Sequence, residues 1–164
     1  MEKERLQFCI NRFDHYYDSI NNKCAVFLGL GTFILGGLIA SYPYLLQNVE
    51  CTSWIHVSMG LLILLSLVNL LTIISASTPH LSNKGTSMFY FASISSMTKK
   101  SFDEQSTCYM PEVELDDLRD QVRELSTGLT RKFQKLKIVG RLFSLQFILF
   151  IPLIIFVIIN FKIQ

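Results

Sequence analysis

The chain has 164 residues, half of them hydrophobic, and a formal net charge of +2. A balance so near zero leaves no electrostatic footprint for nucleic acid, so no nucleic-acid partner is expected. The longest polar stretch, residues 77–138, is too short for an ordinary enzyme domain, because domains of that size are marginal on their own.

Residues 1–23 read as an amphipathic helix. Leu6, Ile10, Phe13, Tyr17 and Ile20 recur at alternating steps of four and three, which is a heptad seam. Glu2, Glu4, Arg12, Asp14 and Asp18 fall off it. The helix is expected to run straight into the first of three apolar runs.

Those runs are Cys24–Leu46, Trp54–Ala76 and Val139–Phe161. Each is about 23 residues long and carries no Asp, Glu, Lys or Arg except Arg141 at the edge of the third. At about 1.5 Å of rise per residue, each is long enough to cross a hydrocarbon core of about 30 Å. The first run is long and its flank mixes acids with bases, so it is expected to stay as an anchor, not to act as a signal peptide.

The first span carries small residues at helical spacing. Ala25 precedes Gly29 by four, Gly36 precedes Ala40 by four, and Gly37 lies beside them. Such spacing lets helix backbones approach closely in lipid. It fits packing against the second span of the same chain, and it also fits an interface between copies. Tyr42, Tyr44 and Trp54 stand at aromatic-belt positions around the short loop between the first two spans. Asn69 in the second span and Gln146 in the third are amides within the membrane, and such groups seek partners across helix interfaces. No span has an acid or base at its centre, which argues against a proton-coupled transporter.

After Pro79 the chain turns irregular, up to the apolar patch Met88-Phe-Tyr-Phe-Ala. A second long helix starts at Pro111, since proline suits the first turn. Glu112, Glu114, Asp116 and Asp117 suit the positive end of its dipole better than they suit a metal. Leu115, Leu118, Val122, Leu125, Leu129, Phe133 and Leu136 mark its inner face, and it is expected to continue unbroken into the third span. The basic residues that follow, Arg131, Lys132, Lys135, Lys137 and Arg141, suit the anionic headgroups of an inner leaflet, so membrane lipid is an expected partner.

The polar segments fix an orientation. The segment before the first span and the long loop hold nearly all the lysines and arginines, whereas the loop 47–53 holds none. Positive loops stay in the cytoplasm, so the N-terminus is expected inside and the C-terminus outside. The expected fold is all-α: three transmembrane helices with a small cytoplasmic helical stalk, formed by the N-terminal amphipathic helix and the long helix continuous with the third span. Its parts are a cytoplasmic helix at 1–23 and a membrane hairpin at 24–76, with spans 24–46 and 54–76. A cytoplasmic loop and helix at 77–138, a third span at 139–161 and an outer tail at 162–164 complete it.

No catalytic constellation is visible. The expected topology keeps His56 on the outer side, away from His15 and His80, and no nucleophile elbow or phosphate-binding loop occurs. No metal site or cofactor is expected. Cys9, Cys24, Cys51 and Cys108 are expected as unpaired thiols, with Cys51 alone outside. One patch offers the chemistry of nucleotide recognition: Phe89, Tyr90 and Phe91 for stacking, and Lys99, Lys100, Arg131 and Lys132 for phosphate. The same residues also fit a plainer role, with the aromatics packing on the stalk and the cations meeting lipid.

The order of these elements resembles the transmembrane effectors of bacterial Pycsar anti-phage systems. The entry Asn22-Lys23-Cys24-Ala25 is similar to that family's D-x-K-A entry to its first span, with asparagine in place of the acid. Met88-Phe-Tyr-Phe-Ala-Ser-Ile resembles its lyFgdI stretch, with Ala92-Ser93 for the glycine–aspartate pair. Leu118-Arg-Asp-Gln-Val-Arg-Glu-Leu-Ser126, followed by Arg131-Lys132-Phe133, is similar to its helix before the last span, and this is the most specific of the three. The resemblance implies a protein of the inner membrane that responds to cyclic UMP or cyclic CMP from a neighbouring cyclase. It then disrupts the membrane, so that the infected cell stops growing or dies. A small membrane effector of another defence system (retron, CRISPR or CBASS), sharing that output with a different trigger, is an alternative. A membrane scaffold that holds another protein's helices is a further alternative, and a homo-oligomer is expected on the effector reading.

Overall fold

The computed structural model describes residues 1–49, 53–78, 87–108 and 110–161. Cys51, His80 and the expected outer tail at 162–164 lie outside the described residues. The chain runs α1 (Glu2–Asn48), α2 (Ser53–Ser77), α3 (Phe91–Ser96), α4 (Lys99–Thr107) and α5 (Pro111–Asn160). Helices α1, α2 and α5 are long and apolar enough to cross a membrane. Among the described residues no strand occurs beyond one isolated bridge between Val49 and Phe161.

The two long helices are as continuous as their sequence patterns predict. Helix α1 carries the amphipathic segment into the first apolar run without a break, and α5 extends over 50 residues. Pro43 and Pro152 sit inside these helices. Helix α5 begins with Pro111, which lacks only an N–H that would be orphaned anyway, and Glu112 and Glu114 occupy its first turn. Helix α4 is capped by Thr98, whose hydroxyl accepts a hydrogen bond from the Ser101 N–H at 3.2 Å.

The chain divides into two compact units. One comprises Met1–Ser19 with Pro79–Lys132, and the other Ile20–Thr78 with Phe133–Gln164. In the first unit the start of α1 pairs in parallel with the start of α5. Arg119 forks onto the Glu2 carboxylate, with Nε on Oε1 and Nη2 on Oε2, each at 3.0 Å. Lys3 meets Glu114 at 2.7 Å. Further along, the Tyr17 hydroxyl donates to the Leu125 carbonyl at 2.9 Å. The ion pairs are exposed and so add little stability, but their geometry fixes the direction of pairing.

In the second unit α1 and α5 again run parallel and α2 runs antiparallel to both. Phe27 lies against Phe143 at 5.4 Å between ring centres, and Tyr44 near Phe161 at 6.4 Å. Leu38, Val49, Ile55, Met59, Leu62 and Leu153 form its buried apolar cluster. The inward residues keep a seven-residue repeat. On α2 they are Ile55, Met59, Leu62, Ser66, Asn69, Ile73 and Ala76, at strict steps of four and three. Such a repeat keeps one face toward its partners along the whole helix.

The same repeat corrects the expected inner face of α5. The sequence reading takes Leu129, Phe133 and Leu136 as successive inward positions. In the structure Phe133 is 42% exposed and Lys132, one residue earlier, is only 7% exposed. The strict spacing runs Leu125, Leu129, Lys132, Leu136, Val139, Phe143 and Gln146, and all of these are buried or half-buried. Position outweighs polarity here, because a strict repeat through Phe133 would continue to Gly140 and Phe147 in place of the buried Val139 and Gln146.

Candidate functional site

The core of the second unit contains a polar layer within an otherwise apolar seam. Ser66 donates its hydroxyl proton to the Leu62 carbonyl at 2.9 Å. Its oxygen must therefore accept, and it does so from Gln146 Nε2 at 2.6 Å. Gln146 and Asn69 are each 1% exposed. Gln146 Oε1 and both polar atoms of the Asn69 amide have no hydrogen-bond partner among the described residues. A buried polar group left unpaired costs about 1–3 kcal/mol. Three such atoms are thus held in a bundle whose other inward positions are chosen for tight packing.

The small residues of the first span point the other way. Ala25, Gly29, Gly36, Gly37 and Ala40 are all exposed. A Cβ added at Gly29, Gly36 or Gly37 would meet nothing within 4 Å. Packing of this stripe against the chain's own second span is therefore not what the structure contains. The close approach is made by Gly31 instead, where an added Cβ would lie 2.8 Å from Leu70 Cδ2 and 3.6 Å from Phe143 Cζ. Gly31 could have been found from sequence by extending the seam: it lies seven residues beyond Cys24, which follows Ile20 by four.

At the C-terminal end of α2, Lys135 Nζ donates to the Ser75 carbonyl at 2.9 Å and to the Ser75 hydroxyl at 2.8 Å. The carbonyls of a helix's last turn lack intrahelical donors and carry partial negative charge, so the ammonium caps α2. This basic residue serves the bundle itself. At the other end the Tyr42 hydroxyl and His56 Nδ1 are 2.6 Å apart.

In the first unit, the Met88 N–H donates to Asp117 Oδ2 at 2.8 Å, which places the aromatic segment beside that turn of α5. Tyr90 and Phe91 lie 5.2 Å apart between ring centres, and Phe91 and Phe89 are exposed. Lys99 and Lys100 open α4, where Lys100 meets Glu104 at 4.0 Å. Lys132 is elsewhere: its ammonium is 5.8 Å from the centre of the Tyr17 ring. Fifteen residues of helix separate Asp117 from Lys132, about 22 Å along the axis. The structure therefore does not bring the aromatics and the Arg131–Lys132 pair within reach of one mononucleotide. Burial raises the Tyr17 hydroxyl above its ordinary pKa, and the nearby Asp14 charge adds to that. The acids at the start of α5 are used locally, with Glu114 on Lys3, Asp116 on Arg119 and Asp117 on Met88. Among the described residues, no group of three His, Cys, Asp or Glu side chains is arranged to hold a metal.

Three apolar helices with a polar layer in their core, and a separate unit of short and long helices, define a membrane protein with an appended helical module. The family model of the Pycsar effector protein domain matches residues 5–159. The chain belongs to the Pycsar effector family, whose name marks it as an anti-phage membrane effector. No curated protein and no solved structure matches it.

Proposed function

We propose that this chain is a non-enzymatic effector of the bacterial inner membrane that breaches the bilayer when a neighbouring cyclase makes cyclic UMP or cyclic CMP. Growth arrest or death of the infected cell follows. Family membership over residues 5–159 supports the defence role. The observation that carries the membrane-breaching step is the outward glycine face of α1, which leaves a second copy free to approach closely in lipid. On this reading the effector is a homo-oligomer surrounded by lipid, with its N-terminus in the cytoplasm and its C-terminus outside, as the distribution of basic residues favours.

The nucleotide is received by the first unit. Phe89, Tyr90 and Phe91 supply stacking surface for the base, and Lys99 and Lys100 supply charge for the phosphate. Arg131 serves the leaflet surface, and Lys132 stays in the core beside Tyr17. Helices α1 and α5 each contribute residues to both units, so a signal received in the first has a covalent route to the second.

Co-expression with a uridylate cyclase, and separately with a cytidylate cyclase, tests the proposal while a voltage-sensitive dye reports membrane potential. Depolarisation with one of the two nucleotides is the expected result. An intact potential with both refutes it.

A further inference from the structure

The Asn69 amide is the least satisfied group in the second unit. It is 1% exposed, and neither its nitrogen nor its oxygen has a hydrogen-bond partner among the described residues. Ser66, one turn away, is committed to Leu62 and Gln146. Gly31, Leu70 and Phe143 pack against one another and offer no side-chain polar atom. An amide within a membrane bundle seeks its partner across a helix interface.

We infer that Asn69 is the contact through which a second copy of this chain is engaged when the bundle opens. The inference rests on the reading of the chain as an assembling membrane effector and adds to it the residue that holds the copies together. A carboxamide carries a donor and an acceptor side by side, so the same residue on another copy satisfies both without any other residue type. Gln146 Oε1, also unpaired, accepts one further donor in the same layer. The outward leucines of α2 at 61, 64, 67 and 71 are exposed and cannot supply such a bond. The closed bundle thus leaves unmet a hydrogen-bonding capacity that assembly fulfils, and the seam of α2 turns from its own chain toward its copy.

The test uses the full chain in native membranes, with its cysteines replaced and one reporter cysteine added. Ile73→Cys and Ala76→Cys place a thiol on the buried seam near Asn69 while keeping the amide. Leu64→Cys, on the exposed face of the same helix, reports random collision. The chain is co-expressed with a uridylate cyclase and, separately, with a cytidylate cyclase, so that the signal is present, and copper-phenanthroline bridges neighbouring thiols. Bridging at 73 or 76 should exceed that at 64. It should fall about tenfold on Asn69→Leu, the equivalent of about 1.4 kcal/mol, and survive Asn69→Gln. Bridging that ignores Asn69→Leu overturns the inference, as does the absence of bridging at both seam positions. Membrane potential is read in the same cells. Leak without seam bridging sinks this inference and spares the effector reading; seam bridging without leak does the reverse.

Discussion

Two glycines five residues apart separate packing within the chain from contact between chains. At Gly31 the first added carbon meets Leu70 Cδ2 at 2.8 Å, Leu70 Cγ at 3.5 Å and Phe143 Cζ at 3.6 Å. Gly31→Leu then drives three more carbons into the same space. At Gly36 nothing lies within 4 Å, so Gly36→Leu extends into the surroundings of the bundle. Both variants gain the same helix propensity, up to about 0.8 kcal/mol, so that gain cancels between them. The difference is the overpacking alone, about 1–3 kcal/mol against Gly31→Leu. Unfolding of the purified chain in mixed micelles by added dodecyl sulfate, followed by far-ultraviolet circular dichroism, measures it. Gly36→Leu should match or exceed the native stability and still lose membrane leakage, because its bulk holds a neighbouring copy away. Equal stability of the two variants, or the lower value for Gly36→Leu, would refute the assignment of faces. Native leakage in Gly36→Leu would remove the interface.

Asn69→Leu should raise stability in the same unfolding assay by about 1 kcal/mol or more, since an unpaired buried amide is replaced by apolar bulk, and should reduce leakage. The pH response of the first unit should follow Tyr17. Its folded pKa lies above the ordinary 10.0, so stability is full below about pH 10 and declines as pH rises through the folded value. Tyr17→Phe should remove that part of the alkaline decline and cost about 1 kcal/mol for the lost bond to Leu125, as read by circular dichroism across pH. Lys135→Met should weaken the C-terminal turn of α2 by about 0.3–1 kcal/mol. Hydrogen exchange should quicken at residues 74–77 and leave the middle of α2 unchanged.

Much of the fold was legible in the sequence because a bilayer imposes crude, strong rules. Runs of spanning length became α1, α2 and α5, and the absence of a further proline between Pro111 and the third run became a 50-residue helix. The inner face was harder. Lys132 and Phe133 are adjacent, and polarity alone assigns the phenylalanine to the inside. The lysine is inside because its position continues the seven-residue repeat, and its ammonium finds the face of Tyr17. Small-residue spacing likewise tells that a close approach is possible but not on which side, and the repeat that places Gly31 inward places Gly29 and Gly36 outward. The nucleotide patch was the least legible part. Phe89 and Lys132 offer complementary chemistry to a nucleotide, one for its base and one for its phosphate, yet only the Met88–Asp117 hydrogen bond reveals how far apart along α5 they lie.

The seven-residue repeat on α1 selects the inward residues in the same way from Leu6 through Ile20, Cys24 and Gly31 to Leu38. Nothing in that pattern changes where the surrounding medium is expected to change from water to lipid. The medium is written only on the outer face, in residues such as Arg5 and Arg12 early in α1 and Val26, Phe33 and Ile39 later. Fold and solvent are therefore encoded on separate sets of positions. Repainting the outer residues of α1, α2 and α5 with charged helix formers, while leaving the seam untouched, should turn this membrane bundle into a water-soluble one with the same internal register.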